Sequence, residues 1–69
     1  MSFNLREAIL ANVTGHNEEQ VEATIEDAVK SGEEKMLPGL GVLFEVYWNT
    51  TDEQGRDEVI SQIAEGLQK

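Results

Sequence analysis

The stretch Glu33-Glu-Lys-Met-Leu-Pro-Gly-Leu-Gly-Val-Leu-Phe-Glu-Val-Tyr-Trp48 decides the fold of this chain. It contains the only proline, three of the four aromatic rings and the longest apolar run of the sequence. Proline cannot continue a helix that precedes it, but it suits the first turn of a new one, so we predict a helix from Pro38 to about Asn49. Such a helix would leave only Glu45 and Asn49 polar, which is typical of a helix buried on most sides.

The same run also alternates in the manner of a β-strand. Val42, Phe44, Val46 and Trp48 are two residues apart, and β-branched and aromatic residues are enriched in strands. The rest of the sequence has no second strand pattern, so a strand here would have to pair with its copy in another chain. Helix is the favoured interpretation. The alternative is an α+β fold in which residues 40–48 pair as strands in a dimer.

The flanking sequence predicts three further short helices. Residues 5–14 have apolar residues four apart behind an Asn4 cap, and residues 18–30 repeat this arrangement behind Asn17. A fourth helix follows Thr51, which we take as its N-cap. Its apolar face consists of Val59, Ile60, Ile63 and Leu67. Short connections favour antiparallel neighbours, so we predict an all-α fold, a small compact bundle of about four short helices with a buried central helix.

Length and composition limit what the chain can be. Residues 1–69 make a single small acidic helical domain, and a chain of this size buries only about 60% of its unfolded surface. The absence of cysteine excludes disulfides and thiolate metal sites and favours an intracellular location. No run reaches the roughly 18 apolar residues of a membrane span, and the first residues lack the pattern of a secretion signal. We therefore expect neither membrane insertion nor secretion.

Charge disfavours nucleic acids as partners. Fourteen carboxylates against five basic residues give a formal net charge of -9. Nucleic-acid binding depends on a basic face that displaces counterions from the phosphate backbone. Here the basic residues are spread along the chain without forming a cluster: Arg6, Lys30, Lys35, Arg56 and Lys69.

The residue types that carry chemistry form no recognisable catalytic, cofactor or metal site. His16 is the single histidine, and we expect it to face solvent in a connection between helices. The acidic residues of the second helix form a solvated face without the shaped loop of a calcium site. The sequence Pro-Gly-Leu-Gly at residues 38–41 lacks the spacing of a phosphate-binding loop, and we assign its glycines to close packing. We predict no enzyme activity, no cofactor, no metal and no small-molecule substrate.

Met36, Leu37 and Trp48 are the candidate protein-contact residues. They flank the central helix, and methionine and tryptophan are favoured at contact surfaces. Packing in the core is the alternative for each of them. The candidate partner is another protein or a second copy of the chain in a homodimer.

Residues 31–46, Ser-Gly-Glu-Glu-Lys-Met-Leu-Pro-Gly-Leu-Gly-Val-Leu-Phe-Glu-Val, resemble the signature of the small acid-soluble spore protein I family of endospore-forming bacteria. Residues 4–6, 11–15 and 19–28 resemble that family as well, and the segment from Thr51 onward does so more loosely. The resemblance implies a minor protein of the spore core, made in the cytoplasm of the forespore during sporulation, with no established activity and no functional residues to carry over. The alternative is a DNA-associated spore protein, which the net charge of -9 disfavours.

Overall fold

Four α-helices joined by short connections make up the fold. The computed structural model describes residues 4–68 of the chain. The helices are α1 (Leu5–Val13), α2 (Glu18–Ser31), α3 (Leu37–Thr50) and α4 (Glu53–Gly66), and a single 3₁₀ turn, Glu34–Met36, leads into α3. The described residues contain no strand, so the prediction of an all-α fold is confirmed. The alternative of a strand at residues 40–48 is wrong, because this run lies within α3.

Asparagine caps begin the first two helices, as predicted. The Asn4 side chain accepts a hydrogen bond from the Glu7 backbone N–H at 3.1 Å. Asn17 and Gln20 form a reciprocal capping box, with both hydrogen bonds at 2.9 Å. These bonds satisfy N–H groups that have no acceptor within the first turn of a helix. Gly32 ends α2 in the left-handed conformation, with φ 64°, which glycine adopts without steric cost.

The cap of α4 differs from the prediction by one residue. Asp52 accepts a hydrogen bond from the Gly55 N–H at 2.8 Å and is the N-cap, so the assignment to Thr51 was wrong. Thr51 instead closes α3, because its N–H donates to the Tyr47 carbonyl at 2.9 Å. Aspartate and threonine are both good caps, and the hydrogen-bonding role of Thr51 in the preceding helix leaves the cap to its neighbour.

The start of α3 also differs from the prediction. Leu37 has helical φ and ψ of -60° and -42°, although helical geometry is disfavoured for a residue that precedes proline. Met36, at the end of the 3₁₀ turn, is already in the right-handed helical region. Pro38 removes no helical hydrogen bond, since N–H groups of the first turn have no acceptor. The chain therefore enters α3 at Leu37, one residue before the start at Pro38 that we predicted.

α3 is the central element, but a single chain does not bury it on most sides. It packs against α1 and α2. Among residues 4–68 only Val42, near the middle of α3, is buried, with 7% of its surface exposed. Leu37, Phe44 and Val46 remain 61%, 41% and 42% exposed. The expected burial of the central helix is therefore not confirmed, because its neighbours cover only part of its circumference.

α4 has few contacts with the other helices. It meets α3 at its first turn, where the Tyr47 hydroxyl donates to the Gly55 carbonyl and Arg56 Nε donates to the Trp48 carbonyl, both at 3.0 Å. Beyond that turn its apolar face is largely uncovered: Ile60, Ile63 and Leu67. The bundle is accordingly elongated, with extents of 40 × 29 × 28 Å and a radius of gyration of 13.5 Å. A spherical domain of this length would have a radius of gyration of about 11 Å.

Candidate protein-contact site

An exposed apolar stripe runs along α3, and we call it the α3 seam. Its members are Leu37, Gly41, Phe44 and Trp48, which are separated by four, three and four residues. At about 100° per residue these positions fall within an arc of roughly 60° on the helix surface. Leu37, Gly41 and Phe44 are exposed, and Trp48 is partly exposed. The seam is therefore a continuous apolar surface about 16 Å long, given the rise of 1.5 Å per residue.

Aromatic contacts support the Trp48 end of the seam. The Phe44 ring lies 5.7 Å from the Trp48 ring and 6.5 Å from the Tyr47 ring, measured between centroids. The Arg56 guanidinium lies 5.3 Å from the centroid of the Trp48 ring, in cation–π geometry. Trp48 thus helps to hold α4 on α3 while part of its ring remains at the surface.

The structure places the predicted contact residues in two separate regions. Met36 is partly buried and lines an open groove of about 390 Å³ between α1, α2 and α3. Other apolar residues of this groove are Leu5, Ile9, Val13, Leu40 and Leu43. Leu37 and Trp48 both belong to the α3 seam, but they lie at its opposite ends. A single chain therefore does not bring the three side chains together, and their role in protein contact stays a prediction.

Phe44 and Gly41 complete the seam, although from the sequence we named neither as a contact residue and assigned Gly41 to close packing. From the sequence we placed Phe44 within a helix expected to be buried on most sides. The spacing of four, three and four residues was the available signal, since it marks the contact line of paired helices. Within the described part of the chain Gly41 lies in an open position, because a Cβ atom built on it would meet no atom of residues 4–68 within 4 Å beyond its chain neighbours and the local helix backbone.

An ion pair holds α1 against α3 beside the seam. The Arg6 guanidinium donates hydrogen bonds to both Glu45 carboxylate oxygens, at 2.7 and 2.9 Å. These hydrogen bonds are the main cause that holds the pKa of Glu45 below its ordinary value; desolvation opposes them, and the attraction of the guanidinium charge adds to them. The same hydrogen bonds raise the pKa of Arg6. The pair is largely exposed to solvent, so its main effect is to orient α1 on α3.

The positive charges of residues 4–68 have partners within the chain. Besides Arg6, the partnered basic groups are Lys30 with Glu26 at 3.8 Å, Lys35 with Glu33 at 3.2 Å, and Arg56 with Trp48. Lys69 lies outside the described residues. The described surface therefore presents no cluster of uncompensated positive charge to a phosphate backbone.

His16 is partly buried, whereas we expected it to face solvent. Its Nδ1 atom is covered and has no hydrogen-bond partner among residues 4–68. Residues 4–68 contain no group of three or more histidine or acidic side chains arranged to hold a metal ion. None of the helices in this part of the chain has both the length and the apolar character required to cross a bilayer.

The known proteins that match this chain share one family description, and the matches cover nearly its whole length. A family profile described as "Small, acid-soluble spore protein I" matches residues 3–67. A protein of that name from Halalkalibacterium halodurans is 66% identical over 68 residues, which cover 99% of this chain and 100% of the relative. The protein of that name from Shouchella clausii is 64% identical, and the match covers 97% of each chain. The one from Bacillus mycoides is 58% identical, and the match covers 100% of each chain. No solved structure matches the chain.

Proposed function

Because the chain belongs to the small, acid-soluble spore protein I family, we propose that it is a non-enzymatic protein of the spore core, made in the forespore, that acts as a structural component through contacts with other proteins. Its family makes it a bacterial spore protein. The observation that supports a contact role is the apolar surface that a single chain leaves uncovered along α3.

The surface area of the chain supports this proposal. The chain exposes 5908 Å². A compact monomer of 7.7 kDa would expose about 4,300 Å², so that roughly 1,600 Å² is in excess. This excess includes polar and apolar surface of the elongated chain, and the α3 seam is one apolar part of it. An exposed seam that includes Leu37 and Phe44 fits a protein that completes its packing against a partner.

Association with DNA is the alternative function, and the charges of the molecule disfavour it. The net charge is -9, and each basic side chain of residues 4–68 is engaged within its own chain. A gel-shift titration at low salt tests this alternative. We expect no shifted DNA at tens of micromolar protein, a range in which weak non-specific binders respond. A salt-sensitive shift in that range would support DNA association instead.

Site-specific photo-crosslinking in sporulating cells tests the contact role. One strain carries a photoreactive amino acid at Leu37, in the α3 seam, and a control strain carries it at Glu19, which is exposed on α2. We expect irradiated spores to give discrete heavier species from the Leu37 position and none from Glu19. No product from Leu37, or equal products from both positions, would contradict the proposal.

Fractionation of the same spores tests the location. We expect the protein to remain with the core after the coats are removed. Recovery in the coat fraction would contradict a core location.

A further inference from the structure

We propose that the α3 seam binds a second copy of this chain, with the two α3 helices packed antiparallel about a twofold axis. This inference rests on the proposed role in protein contact and names the partner. It differs from the dimer considered at the level of sequence, which required residues 40–48 to be strands.

The positions of the seam are self-complementary. An antiparallel pairing centred between Val42 and Leu43 places Leu37 opposite Trp48 of the second copy, and Gly41 opposite Phe44. A twofold interface is isologous, so each of these pairs occurs twice. The spacing of four, three and four residues is that of the apolar contact line in paired helices. Leu37 and Trp48, about 16 Å apart along one helix, thereby become neighbours across the interface.

The Phe44 side chain projects from the seam, and Gly41 of the other copy leaves room for it at the position that it faces. Phe44 is 41% exposed, and its ring is supported by the Trp48 ring at 5.7 Å. Gly41 has no side chain, and beyond its chain neighbours and the local helix backbone no atom of residues 4–68 lies within 4 Å of the place where its Cβ would be. The Phe44 ring of one copy can therefore lie over the Gly41 backbone of the other, since glycine permits close approach. The four seam residues carry no charge, and the two charged side chains that border them, Arg6 and Glu45, are hydrogen-bonded to each other.

The amount of uncovered surface suits such a dimer. A stable interface of standard size removes about 800 Å² from each partner. The excess of roughly 1,600 Å² over a compact monomer is spread over the whole chain, so the seam would supply part of that area and the surfaces beside it the rest.

The exposed apolar face of α4 is the other candidate interface, but α3 is held more firmly by its neighbours. α1 and α2 pack against α3, and the Arg6–Glu45 pair fixes one of these contacts. α4 is attached at its first turn alone through Tyr47 and Arg56. A surface that is already ordered loses less conformational entropy on binding. We therefore assign the interface to α3.

The charge of the chain gives the dimer a characteristic response to salt. Two copies, each with a formal charge of -9, repel one another at long range. The screening length falls from about 30 Å at 0.01 M salt to about 8 Å at 0.15 M salt, so added salt weakens this repulsion. The dimer should therefore strengthen as salt increases, whereas binding to nucleic acid weakens.

Sedimentation equilibrium of the full chain with two glycine variants tests the interface. Gly41→Glu places a carboxylate opposite Phe44 of the second copy, twice per dimer. Gly39→Glu is the control, because it adds the same charge to α3 off the seam, at a partly buried position where a Cβ meets no other atom of residues 4–68 within 4 Å. We expect wild type and Gly39→Glu to dimerise with equal Kd, and Gly41→Glu to dimerise at least about tenfold more weakly. Far-UV circular dichroism should show equal helicity in all three chains.

Two results would overturn the inference: Gly41→Glu dimerising as tightly as wild type, or wild type remaining monomeric to hundreds of micromolar. If Gly41→Glu loses helicity, Leu37→Gln carries the same test with the same outcomes, since Leu37 is 61% exposed and lies outside the monomer core. Crosslinks from Leu37 to a different protein alone would overturn the self-pairing and leave the contact role intact. A dimer in solution without any crosslink in spores would overturn the contact role instead.

Discussion

Replacing Val42 with alanine tests where the core of this small domain lies. Val42 is 7% exposed in the middle of α3. Deleting two buried methyl groups removes about 1.6 kcal/mol of transfer free energy. The remaining cavity adds to this loss, while the better helix propensity of alanine returns about 0.5 kcal/mol. We expect Val42→Ala to lower the free energy of unfolding by about 1 to 2 kcal/mol.

Val46→Ala is the matched control, because it makes the same change one turn further along the same helix. Val46 is 42% exposed, so its transfer loss is about 0.9 kcal/mol, and the propensity gain reduces the net cost to below about 0.5 kcal/mol. Urea unfolding followed by far-UV circular dichroism, at one chain concentration, measures both variants. If Val46→Ala costs as much as Val42→Ala, this side of α3 is covered in the single chain, and the assignment of the core is refuted.

Substitutions at three further residues test the attachment of α4, the Arg6–Glu45 pair and the cap of α2. Gly55→Ala should weaken the attachment of α4, because the added Cβ would collide with the Thr51 side chain. Gly39→Ala should instead gain about 1 kcal/mol of helix propensity. Thermal unfolding compares the stability of the two variants. Glu45→Gln should destabilise the protein at neutral pH but not in acid. The hydrogen bonds from Arg6 lower the pKa of Glu45. The stabilisation of the folded state by this pair is therefore complete above the ordinary pKa of 4.5 and is lost as the pH falls through the lowered pKa. A loss of stability in Glu45→Gln that does not depend on pH would contradict this. Asn17→Ala should cost about 1 kcal/mol in urea unfolding, whereas Asn17→Ser should cost little.

The helices could be predicted from the sequence because their signals are local. Asn4 and Asn17 precede apolar residues at helical spacing, and both act as caps. Pro38 lies in the first turn of α3, where a proline is favoured. The error at Thr51 arose because two good capping residues are adjacent, and the hydrogen bonds that decide between them form only when both helices are in place.

The exposure of α3 could not be predicted because it depends on where α4 lies. Thr51 and Asp52 are both extended, and these two residues set the direction in which the chain leaves α3. No pattern within either helix encodes that direction. The apolar composition of α3 therefore indicated burial, while the structure leaves Leu37 and Phe44 at the surface.

The central claim is that a single chain leaves the α3 seam and the apolar face of α4 uncovered. Small-angle X-ray scattering of the Gly41→Glu variant, extrapolated to zero concentration, tests this claim most directly. We expect the mass of one chain and a radius of gyration of 13.5 Å or slightly more, as in the open bundle. A value near 11 Å, as expected for a compact domain of this length, would contradict the account, because α4 would then cover the surface that we assign to a partner.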